Sequence, residues 1–176
     1  MTRALYAYVY DRLSSCDALA AILDAEGGVR RPDQPKPQIN GLGAPIDTSF
    51  RKILTFGRLT RDPVPGYESR PIQFQTLEFA PWIRGESSTP ADLVLEDIQD
   101  LVLRRFVWIP RGGHPEEQDC SAIIILNARH VGGDAAPAFN HAMEAWTKSF
   151  RLRFQVILPT CAPVVAWCGD CSEQNA

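Results

Sequence analysis

The stretch WTKSFRLRFQVIL, residues 146–158, decides how this chain folds. Trp146, Phe150, Leu152, Phe154, Val156 and Leu158 take even positions; Thr147, Ser149, Arg151, Arg153 and Gln155 take odd ones. Side chains of a strand alternate between faces, so this period of two predicts a strand with one apolar and one polar face. Pro159 ends it. A sheet with one apolar face needs a second layer over it.

Two helices supply that layer. From Thr2 to about Asp24, apolar residues recur at Leu5, Tyr8, Val9, Leu13, Cys16, Leu19 and Leu23, in steps of three and four. Gly27-Gly28 closes this helix. The second is expected from Pro90 to Phe106, with Thr89 as N-cap and Pro90 at the first helical position. Leu95, Ile98, Val102 and Phe106 form its buried stripe, and Asp100 is spaced to pair with Arg104.

Three more strands are expected. Phe50 to Leu59 and Arg70 to Trp82 read as a hairpin around DPVPGYES, residues 62–69. Ile72 and Phe74 alternate with Gln73 and Gln75 before the apolar phase shifts to Leu77 and Phe79, which predicts a bulge near Thr76. Ser121 to Asn127 (SAIIILN) holds a run of β-branched and aliphatic residues, as in a strand buried on both faces or centrally placed. The expected fold is therefore α+β: a mostly antiparallel four-stranded sheet with two helices packed on it, in the order α-β-β-α-β-β.

The chain has 176 residues, one domain's worth, and is large enough to bury a core without disulfides or metal. That domain is expected over 1–159. Its interruption is residues 27–47, where four Gly and four Pro in 21 positions exclude a helix or a central strand. This segment reads as a surface loop or an assembly arm. Residues 110–119 and HVGGDAAPAF, residues 130–139, read as further connections. Residues 160–176 form a short Cys-containing tail.

Charge and chemistry narrow the function classes. A net charge of -3 offers no excess of positive charge to draw nucleic acid or acidic membranes. No run of 18 apolar residues spans a membrane, and the N-terminal stretch lacks the apolar core of an export signal. The cysteines are Cys16, Cys120, Cys161, Cys168 and Cys171, expected to be reduced thiols in a cytosolic setting. Cys168-Gly-Asp-Cys171 has the C-x-x-C spacing but no helix after it to lower a thiol pKa. A zinc site would need two more ligands, and Cys161 is the one near candidate. His114, His130 and His141 lie in or beside loops without metal-ligand spacing. No nucleophile elbow or phosphate loop is present. No catalytic residue, metal ligand or cofactor is assigned, and the chain reads as a non-enzyme.

The other candidates are surface groups. Trp82, Trp108, Trp146 and Trp167 lie at element ends or in loops, where Trp serves either as core or as an interface anchor. Arg151 and Arg153 share one face of the last strand, as a solvated sheet face or as an intersubunit charge contact. Trp82, Trp108, Arg30, Arg31, Arg151 and Arg153 are the candidate interface residues.

Three segments carry a family resemblance: ALYAYVYDRLSSCDALAAIL (4–23), RPIQFQTLEFAPWIRGESSTPADLVLEDIQDLVL (70–103) and RLRFQVIL (151–158). The first resembles the opening helix of phage tail terminator (tail-completion) proteins, the second their central strand, turn and helix, and the third their closing strand. The resemblance covers most of residues 1–158 and is one of pattern. Segments 27–47, 110–119 and the cysteine tail depart from it.

The resemblance implies a structural virion protein that forms a ring, hexameric in this family. The ring caps the tail tube, halts its growth and joins tail to head or neck. It implies a tail tube protein on one face and a head-completion or connector protein on the other. DNA would pass through without sequence-specific binding, and no membrane partner or cofactor is implied. Assembly would take place in the host bacterial cytoplasm, and the product would reside in the virion tail or neck. Two alternatives stand beside it: another neck or head–tail connector protein, and a non-viral α+β binding domain with a thiol or zinc site at Cys161, Cys168 and Cys171.

Overall fold

The computed structural model describes residues 2–25, 27–31, 49–63, 72–107 and 124–157. In chain order these form α1 (Thr2–Ser14), α2 (Asp17–Ala20), β1 (Val29–Arg30), β2 (Lys52–Pro63), β3 (Ile72–Arg84), α3 (Ser88–Val107), β4 (Ile124–Gly133), β5 (Ala138–Asn140), β6 (Ala145–Thr147) and β7 (Phe150–Ile157). The architecture is α+β, but among the described residues it has three helices and a seven-stranded sheet in place of the two and four expected.

The extra pieces have local causes. The expected first helix breaks at Ser14 to Cys16, a run of weak helix formers, and Cys16 is extended at φ -95, ψ 101. Ser15 Oγ donates to the Arg12 carbonyl at 3.4 Å, a local bond that competes with helix continuation. The bend keeps Leu19 and Leu23 buried alongside Leu5, Val9 and Leu13. α3 starts at Ser88 rather than Pro90, and the Ala91 amide donates to Ser87 O at 3.1 Å. Pro90 still lies in the first turn, where its missing N–H has no intrahelical partner to lose.

β2 and β3 pair antiparallel from Lys52↔Ile83 to Pro63↔Gln73. A register shift falls between Arg58 and Thr60, opposite Leu77 and Thr76. The bulge expected near Thr76 thus sits across the ladder, in β2 rather than β3. The hairpin loop itself lies outside the described residues, as do most of the 27–47 segment, the 110–119 loop and the cysteine tail. β1 pairs parallel with β2 through Val29↔Leu54 and Arg30↔Thr55.

The last strand keeps its alternation. In β7, Phe150, Leu152, Phe154 and Val156 are buried while Arg151 and Arg153 are exposed. β6 and β7 hold one continuous register on β3, from Arg84↔Ala145 to Trp82↔Thr147 and on to Phe79↔Phe150. The strand expected from Trp146 is interrupted at Lys148 and Ser149. The Asp134 side chain accepts from the Ser149 amide at 2.8 Å and from its hydroxyl at 2.7 Å.

β4 is a correction. It pairs only with β7 among the described residues, so it is not the central strand that its apolar run suggested. It also runs on through Gly133, into what reads as a glycine-rich connection. Gly132, at φ +118, follows the register shift after His130. Gly133 lies so close to β7 that a Cβ would come 2.4 Å from Ser149 O. Glycine here permits a bulge and a close approach rather than ending the strand.

The three described helices lie on one face of the sheet. Their main core joins Leu5, Val9, Leu13 and Leu19 to Ile98, Val102 and Phe106, over Phe56, Phe79, Phe150 and Phe154. Phe79 stacks on Phe150 with centroids 5.4 Å apart at 12°. A smaller cluster of Phe50, Ile53, Met143 and Ala145, with Trp82 against it, covers one end of the opposite face.

Candidate functional site

The sheet face turned away from the helices carries the polar residues that the core does not use. Directly opposite residues on antiparallel strands share a face. Glu78↔Arg151 and Thr76↔Arg153 pair between β3 and β7, and Arg129↔Arg153 between β4 and β7. The odd-numbered arginines of β7 therefore meet Arg129 on one surface. Arg151 Nε donates to Glu78 Oε2 at 3.2 Å. Arg153 lies 5.5 Å over the Phe74 ring, a cation–π contact. Arg129 is exposed and makes no ion pair among the described residues. The Thr76 hydroxyl is buried beside this row, with no hydrogen-bond partner among the described residues.

The other expected interface residues do not join this surface. Arg30 and Arg31 lie at the β1 edge, on the other side of β3 from β7. Arg30 lies 6.0 Å from the Phe50 centroid and donates from Nε to Gly27 O at 3.1 Å. Arg31 lies 5.0 Å over Tyr10. Trp82 is half-buried against the Phe50–Ile53–Met143 cluster, and so serves this chain's own packing. Trp146 packs on Ile83, Ala91 and Leu95 and lies 5.0 Å from Phe139. Trp108 lies outside the described residues.

Arg129 is the residue that sequence reasoning missed. Its place opposite Arg153 depends on a register that skips residues 126 and 131, which no local pattern encodes. Two like charges directly opposite each other on a sheet are unfavourable without a partner.

A second polar surface lies on α3. Leu93, Glu96, Asp97, Asp100 and Arg104 are exposed on the side away from the core, and Leu93 is 61% exposed. Glu96 takes an ion pair from the mostly buried Lys148 at 3.4 Å. The expected Asp100–Arg104 pair does not form among the described residues.

One carboxylate titrates out of the ordinary. Asp134 is held below the usual carboxylate range, first by the Ser149 hydroxyl, then by the Ser149 amide, with Arg151 adding a smaller pull. Its bonds fasten the β4 end to β7, which is structural work. A cavity of about 150 Å³ beneath α1 is lined by Tyr10, Leu13, Leu23, Asp24, Gly28 and Val29. Both Asp24 carboxylate oxygens are taken, by the Arg51 and Lys52 amides at 2.8 and 3.1 Å. Among the described residues, no three His, Cys, Asp or Glu side chains gather in a metal-binding group. No described helix is long and apolar enough to cross a membrane.

No family model and no curated protein matches this chain. Among solved structures, it is similar to a chain from the virion of a native gene transfer agent (GTA) particle, with a TM-score of 0.57 and 11% identity. The match covers 89% of this chain and 96% of that one, so the fold is shared over almost the whole of both.

Proposed function

We propose that this chain is a virion structural protein of the tail terminator kind. Its copies close into a ring, hexameric by the family resemblance. The ring caps the tail tube, halts its growth and joins it to the head or neck. The observation that carries this reading is the fold shared with a chain of a virion particle, over 96% of that chain. The match spans 89% of this chain rather than a common sub-motif. The pattern resemblance at 4–23, 70–103 and 151–158 falls on α1 and α2, on β3 and α3, and on β7, the elements that build the core.

The fold suits the task. A cyclic ring needs two different patches on each subunit, meeting head to tail. The helices and the sheet face that no described helix covers are such a pair, on opposite sides of one core. A ring that ends a tube must meet the tube on one face and a connector on the other. DNA crossing such a ring would be slowed by dense phosphate contacts, and the chain's net charge of -3 leaves no general excess of positive charge.

Native mass spectrometry and negative-stain imaging of the purified chain test this reading. A closed ring that binds the end of a tail tube is expected. Monomer at every concentration, with or without tubes, would overturn it. A ring that binds a connector but never a tube end would move the assignment to a neck protein.

A further inference from the structure

Two pairs of like charges, one basic and one acidic, lie on opposite sides of the molecule. On the sheet, Arg129 and Arg153 are directly opposed across β4 and β7. Opposed residues have Cβ atoms about 4.5–5.5 Å apart, close enough for two guanidinium groups to repel. On α3, Asp97 and Asp100 are exposed at i,i+3, with Cβ atoms about 5–6 Å apart, again repelling. The neighbouring acids are already engaged: Glu78 by Arg151 and Glu96 by Lys148.

An apolar group accompanies each charged pair. On the sheet, Phe74 lies one rung, about 6.6 Å, from Arg153 and Arg129. On α3, Leu93 lies one turn, about 6 Å, before Asp97. Leu93 is the most exposed large apolar residue among those described, which a docked partner would cover.

One molecule cannot bring these rows together, because its own core separates them. We infer that the exposed side of α3 docks on the β7 face that carries the exposed arginines of a second copy of this chain, with Asp97 and Asp100 meeting Arg129 and Arg153. The occupant is a second copy because both halves of the match are on this chain. The contact is head to tail, as a ring requires. This inference deepens the ring reading and rests on it.

Charge reversal tests it. Arg129→Glu with Arg153→Glu makes both rows acidic; Asp97→Arg with Asp100→Arg makes both basic. Each double variant alone is expected to shift the ring-to-monomer midpoint to at least about tenfold higher protein concentration. An equimolar mixture is expected to restore rings, since acidic and basic subunits can then alternate. Circular dichroism and the Tm of each variant confirm the fold. If a reversal disturbs folding, the alanine pairs replace it: each pair weakens the ring, and the quadruple variant weakens it no further than one pair alone. Wild-type rings with variants that also form rings would overturn this contact and leave the ring reading standing. Variants that stay monomeric when mixed would overturn it as well. A wild-type chain that never forms rings would overturn both.

Discussion

Phe106 of α3 meets Phe154 of β7 edge to face, with ring centroids 5.5 Å apart at 81°. The contact joins the longest helix to the strand whose alternation predicts the fold. It also places the two proposed assembly surfaces back to back, one beyond the helix and one beyond the strand.

Phe154 is fully buried, and Phe154→Ala removes both its transfer energy and its fit against Phe106. We expect a loss of about 3–5 kcal/mol of stability. Urea unfolding of the monomer measures it. A loss below about 1 kcal/mol would mean that the site collapses around the deletion.

The Arg151–Glu78 pair predicts a different scale. Its side chains are 49% and 33% exposed, so water screens the attraction. A double-mutant cycle with Arg151→Ala and Glu78→Ala should give a coupling under about 1 kcal/mol. Added salt should reduce it.

Asp24 ties the end of the first helical region to the start of β2 through two backbone amides. In Asp24→Ala those amides lose their acceptor, at a cost of about 1–3 kcal/mol. Asp24→Asn keeps one acceptor and should retain part of the stability. Thermal melts of the two variants side by side would show whether this ordering holds.

Gly133→Ala should weaken the β4–β7 pairing, because the added methyl would meet Ser149 O at 2.4 Å and Phe150 Cα at 2.7 Å. Overpacking of this kind costs about 1–3 kcal/mol. Amide exchange should quicken along β4 first, before the helices respond.

Asp134 makes a prediction in pH. Its pKa is lowered in the folded protein, chiefly by the Ser149 hydroxyl and then by the Ser149 amide. A depressed folded pKa gives stability that is complete above the ordinary carboxylate value and is lost as pH falls through the lowered one. Asp134→Asn should therefore flatten the acid side of the stability profile and leave its slope near neutrality unchanged. The group is exposed, so the effect should stay near about 1 kcal/mol. An unchanged acid limb would show that Asp134 does not carry it.

Local pattern made much of the fold legible. The alternation at Phe150 to Val156 assigned each face correctly, because a strand's side-chain period does not depend on its neighbours. The stripe at Leu95, Ile98, Val102 and Phe106 did the same for α3. The sequence also placed Arg151 and Arg153 on the exposed face. What no local pattern contains is pairing between distant segments. Arg129 reaches Arg153 only through a register with two shifts, and β4 sits at its place in the sheet only because of what β7 offers it. Trp82 looks the same in sequence whether or not it packs on Ile53 and Met143; that contact is visible only in the tertiary structure. The helix break at Ser14 to Cys16 has local causes, weak helix formers and the Ser15 hydroxyl bond to the Arg12 carbonyl, which the unbroken stripe through Leu19 and Leu23 concealed. Periodicity is a property of neighbouring residues and was readable from the sequence; register, edges and the opposed arginines are set by contacts between residues far apart in the chain, and only the tertiary structure decided them.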